Sequence, residues 1–350
     1  APDCLIWYIN IHLLVADGWA FGVFQGRLAT CYEALGQNAD EPIEAWPQYL
    51  PYREFEHTQQ SRERAQNCAA YWAERGRQPC DPVLFYGLSP DPTDYRTRRV
   101  TVELGDRVST QIRETAGQPG IRGLTEELSL LGVFSAALQV LVYRITGASR
   151  FNLGMPFHNR MLPAHRATVG LLMEVGMLRA DLSPELSFVQ VIAAAQRELT
   201  SALRHVMPGC SEAQTNAGFS VFLNFVRMQT RVQAGIRPTL SWHHSGFGDA
   251  GHAVRLQVED FNQTGVFVLH FDLAESVFAE SARVWLTEQF RAVLDAFLND
   301  PQGRIGGFSL LSCAQQRRLV EPFNATAREG ESLRTVPDQI HRQVQRHPGR

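Results

Sequence analysis

Two apolar periods alternate along this chain, and the first change between them falls within its opening twenty residues. Leu5, Trp7, Ile9 and Ile11 alternate with Ile6, Tyr8, Asn10 and His12, a period of two that predicts a strand over 4–12. The spacing then lengthens. Ala20, Phe24, Leu28, Cys31 and Leu35 share one face of a predicted helix, with Asp17 at its N-cap and Gly36 as its stop. Residues 37–60, rich in proline, glutamate and aromatics, are expected to be irregular, and a second helix is expected over 61–75. The prolines at 79, 82, 90 and 92 mark a crossover segment over 77–97, and a lobe boundary is expected there.

Beyond residue 98 strands and helices interleave. Arg99 to Leu104 read as a strand. Leu124, Leu128, Leu131, Ser135, Leu138, Val142 and Ile145 mark a long helix with Thr125 near its start and Gly147 as its stop. Phe151 to Met155 and Val169 to Leu178 read as buried strands, and Ser187 opens a helix that Pro208-Gly209 ends. Phe219 to Met228 is almost continuously apolar, the pattern of a central strand. Val254 to Phe261 and Gly265 to Leu273 read as a hairpin turning at Asn262-Gln263-Thr264. Trp285, Phe290, Val293 and Phe297 belong to a last amphipathic helix that ends before Asp300-Pro301, and periodicity fades after about 312. Irregular interleaving of this kind predicts an α/β (α+β) sandwich, not a doubly wound nucleotide fold.

Composition narrows the function classes. The 350 residues carry a net charge of −3 and no Lys/Arg-rich run, so there is no electrostatic footprint for nucleic acid or an anionic membrane. No apolar run reaches membrane-spanning length by this reading, and the start lacks signal-peptide regions. Six cysteines without a CxxC pair fit reduced thiols in the cytoplasm better than a zinc site or a disulfide framework. The absence of GxGxxG and GxxxxGK[ST] loops disfavours the ordinary nucleotide cofactors.

The segment His12-Leu13-Leu14-Val15-Ala16-Asp17-Gly18-Trp19 resembles the HHxxxDG core motif of condensation domains in nonribosomal peptide synthetases, with Leu13 at the second His position. Further landmarks follow in the family's order. Phe151 to Arg160 is similar to its hxxGxPhxNR element, and Val169 to Arg179 to its hGhFhNxLxhR strand, with Met173 and Glu174 as departures. Ser309 to Ser312 and Pro322 to Thr326 resemble the linker into an adenylation domain.

The resemblance implies a chloramphenicol-acetyltransferase-like fold of two lobes set as a V around a tunnel. It implies amide bond formation between a donor acyl or peptidyl thioester and an aminoacyl acceptor. Both would arrive on phosphopantetheine arms of carrier proteins, with no cofactor bound directly. Expected partners are the donor and acceptor carrier proteins and a downstream adenylation domain, without nucleic acid or membrane. In that family the core motif follows well over a hundred residues, whereas here it begins at 12. The chain therefore reads as a fragment: 1–80 from the N-terminal lobe, 81–312 as the C-terminal lobe, and 313–350 as linker and adenylation start.

The candidate residues follow from the motif. Asp17 pairs with Arg160 in the family's pattern, while its position alone suggests a helix cap. Gly18 allows a sharp turn or offers its amide to a developing oxyanion. Leu13 can take no proton, and as the next odd-numbered apolar residue it is expected to pack inward. His12, its strand neighbour, is expected to point the other way. His158, two residues before Arg160, is the remaining candidate for a displaced base or a loop residue. Trp242-His243-His244 with Asp249 is weak metal evidence, and no metal is expected. Two readings of function stand: an amide-forming condensation domain slowed by Leu13, or a condensation-like scaffold that docks carrier proteins or tailoring enzymes. A stand-alone acyltransferase and an epimerisation domain rank lower, because neither explains a linker-like tail.

Overall fold

The computed structural model describes residues 6–36, 45–60, 63–160, 162–210, 218–226, 239–260, 264–326 and 335–349. Three helices come first, α1 (Gly18–Gly36), α2 (Tyr49–Gln60) and α3 (Glu63–Arg77). Then follow β1 (Thr97–Glu103), α4 (Gly105–Ala116), α5 (Glu126–Thr146), β2 (Arg150–Phe157), β3 (Glu174–Asp181), α6 (Phe188–His205) and β4 (Val221–Val226). The series closes with β5 (Val254–Glu259), β6 (Val268–Ala274), α7 (Glu280–Asn299), α8 (Cys313–Asn324) and α9 (Val336–Arg346). The chain divides into two compact units, 1–308 and 309–350.

The first unit is built on one six-stranded mixed sheet of order β1-β6-β5-β4-β2-β3. β4 runs parallel to both β5 and β2, and the other pairs are antiparallel. β4 is interior, as its continuous apolar run predicts. α5 is the core helix: Thr125 caps it by accepting from the Leu128 amide, and Gly147, at φ 74°, ends it in the left-handed region. By length and composition α5 is long and apolar enough to cross a membrane, contrary to the expectation that no run is. Here its apolar surface is spent on α4, α6, α7 and β4.

The two faces of the sheet differ in chemistry. On β6, Leu269, Phe271 and Leu273 are buried, and Phe271 meets Phe290 of α7 edge-on at 5.2 Å. The alternate residues are polar, and they join cross-strand rungs. Arg99 of β1 is held by both carboxylate oxygens of Asp272, at 2.6 and 2.8 Å, and Gln257 of β5 donates to the same carboxylate at 2.6 Å. Thr101 Oγ1 lies 2.9 Å from His270 Nδ1, and Glu259 Oε1 lies 3.1 Å from His270 Nε2. Burial is tolerable for Arg99 and Asp272 because each has an opposite partner.

Several expectations change. Residues 6–11 form no strand and 12–15 make a turn, since no described strand lies alongside to complete a ladder. Residues 49–60, expected to be irregular, are α2; Pro51 sits in its first turn, where a missing amide costs no helical hydrogen bond. α4 was not predicted. β3 starts at Glu174, not at Val169, so residues 170–173 are free of the ladder. The hairpin turn at Asn262-Gln263 lies outside the described residues. The tail after 312 carries two helices, each opened by a capping box at Ser312 or Thr335. α9 buries none of its side chains, which is why its periodicity carried no core signal.

His252 gives the unit a pH dependence. Its ring stacks on Phe219 and Phe222, with centroids 5.1 and 5.7 Å away, and burial pushes its pKa down to about 4. The unfolded chain therefore binds this proton first, and stability falls as pH drops below about 6.5. The loss is complete near pH 4, at about 3 kcal/mol. Denaturant unfolding of His252→Phe across this range should show a shallower pH slope than wild type, and an unchanged slope contradicts the assignment.

Candidate functional site

Three segments meet at Asp17: the start of α1, the turn after β2, and the irregular stretch before β3. Asp17 and Arg160 are 3% and 1% exposed, and Arg160 Nη1 lies 2.8 Å from Asp17 Oδ2. The same oxygen accepts from the amides of Leu172 at 2.9 Å and Met173 at 3.0 Å. The other oxygen accepts from the Ala20 amide at 2.9 Å, which caps α1. The cap and the ion pair, alternatives in the sequence, are made by different oxygens of one carboxylate. Arg160 in turn donates to the carbonyls of His158 at 3.2 Å, Gly170 at 3.2 Å and Thr168 at 3.4 Å, while its Nε finds no partner among the described residues.

The turn that delivers Arg160 is specified locally. Asn159 stands at φ 50°, a conformation asparagine tolerates better than most residues. Its side chain is buried and donates to the Tyr52 hydroxyl at 3.1 Å. Burial raises the Tyr52 pKa far above its ordinary value, so the phenol stays neutral. Gly170 lies under the Tyr49 ring, so closely that any side chain there would collide with it. α2 thus braces both the Arg160 turn and the 170–173 stretch. None of this was read from the sequence; the proline and aromatic content of 45–60 concealed the helix, and only Asn159 beside an arginine hinted at the turn.

The remaining candidates sit differently from expectation. Leu13 is 53% exposed, not packed inward, because residues 12–15 turn and so end any alternation of faces. His12 is also exposed, and its Nδ1 accepts from the Leu14 amide at 3.2 Å. Gly18 is the first residue of α1; its φ is not in the left-handed region, and a Cβ there would meet no atom within 4 Å. Neither backbone nor packing demands glycine at that position. Glu174, a departure from the family pattern, accepts from the Gly209 amide at 2.7 Å and so ties β3 to the end of α6.

His158 does lie beside the motif. Its ring is 4.8 Å from that of Trp19, whose indole N–H donates to the Arg166 carbonyl at 2.9 Å. Packing against Trp19 and then the charge of Arg160 lower its pKa, so it is neutral at pH 7. Its Nδ1 accepts from the Arg160 amide at 3.0 Å. A neutral imidazole with Nδ1 as acceptor carries its proton on Nε2. The free nitrogen of His158 is therefore a donor. Trp242, His243 and His244 lie elsewhere, above the polar face of the sheet; among the described residues no group of His, Cys, Asp and Glu is placed to hold a metal ion.

The Condensation domain profile matches residues 1–320. The chain belongs to the condensation domain family. A linear gramicidin synthase of Brevibacillus parabrevis is 23% identical over 358 residues, covering 98% of this chain and 4% of that protein. The dimodular nonribosomal peptide synthase of Bacillus subtilis is 22% identical over 360 residues, covering 100% of this chain and 15% of that protein. The condensation domain thus spans a small part of the length of the curated relatives it matches. Among solved structures, the first condensation domain of the calcium-dependent antibiotic synthetase, bound to a substrate analogue, superposes with a TM-score of 0.69 at 19% identity, over 86% of this chain and 66% of that one. The starter condensation domain of rhizomide synthetase with C8-CoA gives 0.70 at 18% identity, over 86% and 68%. The fold is the chloramphenicol-acetyltransferase-like α+β sandwich.

The tautomer of His158 is directly observable. ¹⁵N-resolved NMR of the imidazoles should show His158 as the Nε2–H form titrating below 6.5. An Nδ1–H form, or a titration at or above 6.5, contradicts the hydrogen bond to the Arg160 amide.

Proposed function

We propose that this condensation domain joins a carrier-bound acyl or peptidyl thioester to the amine of a carrier-bound aminoacyl thioester by holding the two together, without a general base. The new C–N bond forms at the thioester carbonyl, the C–S bond breaks, and the departing phosphopantetheine thiolate takes up a proton that the amine has released to solvent. The observation that carries this reading is the buried Asp17–Arg160 pair, which keeps the core motif docked on the sheet although Leu13 has replaced its imidazole. A positioned base contributes about 10²–10⁴-fold, whereas approximation alone supports effective molarities of about 10⁵ M or more. A slow domain is therefore chemically consistent with the loss of a base.

On this reading the partners are donor and acceptor carrier proteins, with residues 313–350 as the linker and first helix of an adenylation domain in a cytoplasmic synthetase. His158, neutral and with Nε2–H outward, would act as a hydrogen-bond donor and not as a base. Asp17 and Arg160 position the motif, and Gly18 leaves its first-turn amide beside an uncrowded approach. A second reading, a scaffold without catalysis that docks carrier or tailoring proteins, is favoured by the exposed apolar side chain of Leu13.

The two separate in the intact synthetase with loaded carriers. Without a base the attacking amine must already be neutral, so product formation should rise with pH through the amine's pKa of about 8. Leu13→His should raise the rate at pH 7 by about 10²–10⁴-fold. No product above the uncatalysed background at any pH, in either protein, would establish the scaffold reading.

A further inference from the structure

A cleft of about 240 Å³ opens on the polar face of the sheet, over β1, β6 and β5 and beneath the segment 242–252. Its two arginines are unequally paired, one with a buried and one with an exposed carboxylate. Asp272 stands in register between Arg99 on β1 and Arg255 on β5. It gives both oxygens to Arg99 and accepts from Gln257 as well, so it makes no hydrogen bond to Arg255. Arg255, 26% exposed at its side chain, donates through Nη2 to Asp249, whose carboxylate is 62% exposed. Its Nε and Nη1 hydrogens find no acceptor among the described residues. Two guanidinium groups thus line the cleft against a single buried carboxylate.

We propose that this cleft binds a small carboxylic acid through Arg255, with the rings of Trp242 and Phe247 flanking its apolar body. A carboxylate matches the fork of a guanidinium better than other small anions of single charge do, and it would pair the Nε and Nη1 edge of a partly buried cation whose partner is an exposed carboxylate. The neighbouring imidazoles add no further positive charge: burial lowers the pKa of both His244 and His252, so each is neutral at pH 7. Trp242, with its ring 4.9 Å from the Arg99 guanidinium, and Phe247 offer flat apolar walls. Asp249 holds the place of the ligand's carboxylate from the solvent side, and it competes with it. The cleft is separate from the core motif. β5 and β2 are two strands apart in the sheet, at roughly 5 Å per strand, and Asp17 lies beyond β2.

The acid has two sources, a free small molecule or the carboxylate of a pantetheine-borne substrate, and the probes separate them. Isothermal titration of the full chain with benzoate, succinyl-pantetheine and the neutral isostere benzamide gives the comparison. Saturable binding of benzoate or succinyl-pantetheine is expected, with benzamide silent. Affinity at least tenfold higher for succinyl-pantetheine assigns the substrate-borne carboxylate; otherwise the free acid is the ligand. Arg255→Gln should weaken binding at least tenfold. Asp249→Asn, at an exposed position that does not threaten folding, should tighten it several-fold. Absence of binding by both acids, equal binding of benzamide, or affinity unchanged or weaker in Asp249→Asn overturns the proposal. None of these readouts uses amide formation, so they stand or fall apart from the catalytic reading.

Discussion

Asp17 and Arg160 are each intolerable in their positions without the other. A carboxylate or a guanidinium removed from water alone costs several kcal/mol, and the attraction between them offsets this only when the remaining donors and acceptors are also used. Here they are used. The carboxylate takes two amides from residues 172–173, one from the first turn of α1, and the guanidinium of Arg160. The guanidinium binds three carbonyls besides. One ion pair therefore determines where α1 begins, where the chain leaves β2, and why β3 starts late. The position of the core motif relative to the sheet depends on it.

The same constraint operates on the polar face of the sheet. One face is apolar and covered by helices, so the other must satisfy every charge it carries with a neighbour from an adjacent strand. Arg99 with Asp272 does this. Arg255 does it least well, having only an exposed aspartate, and this deficit gives the cleft its preference for an anion. Both histidines near the core motif accept a backbone amide at Nδ1.

Much of this was legible in the sequence wherever a side chain's role is set by its immediate neighbours. The long helix with Thr125 and Gly147 at its ends, the helix opened by Ser187, and the interior strand at Val221–Val226 all follow local rules of capping and periodicity. Asp17 with Arg160 was legible through the family's motif, because no local rule links residues 143 positions apart. The failures share a cause. Residues 6–12 alternate like a strand, but alternation describes a surface and not the presence of a partner, and no described strand pairs with them. Leu13 was assigned to a core on that premise. α2 was hidden because Pro51 and the aromatic residues around it read as irregular, although a proline in a first turn does not oppose a helix. The tautomer of His158 depended on a hydrogen bond to a backbone amide, which a sequence does not display.

The central claim is that the Asp17–Arg160 pair, and not packing around either residue, holds the motif on the sheet. A double-mutant cycle in urea with Asp17→Asn, Arg160→Gln and the double variant measures this most directly. Each single variant should lose about 3–5 kcal/mol, because each strands a buried charge. The double variant should lose much less than the sum, leaving a coupling of about 2 kcal/mol or more. Additive losses, with coupling near zero, would contradict the account.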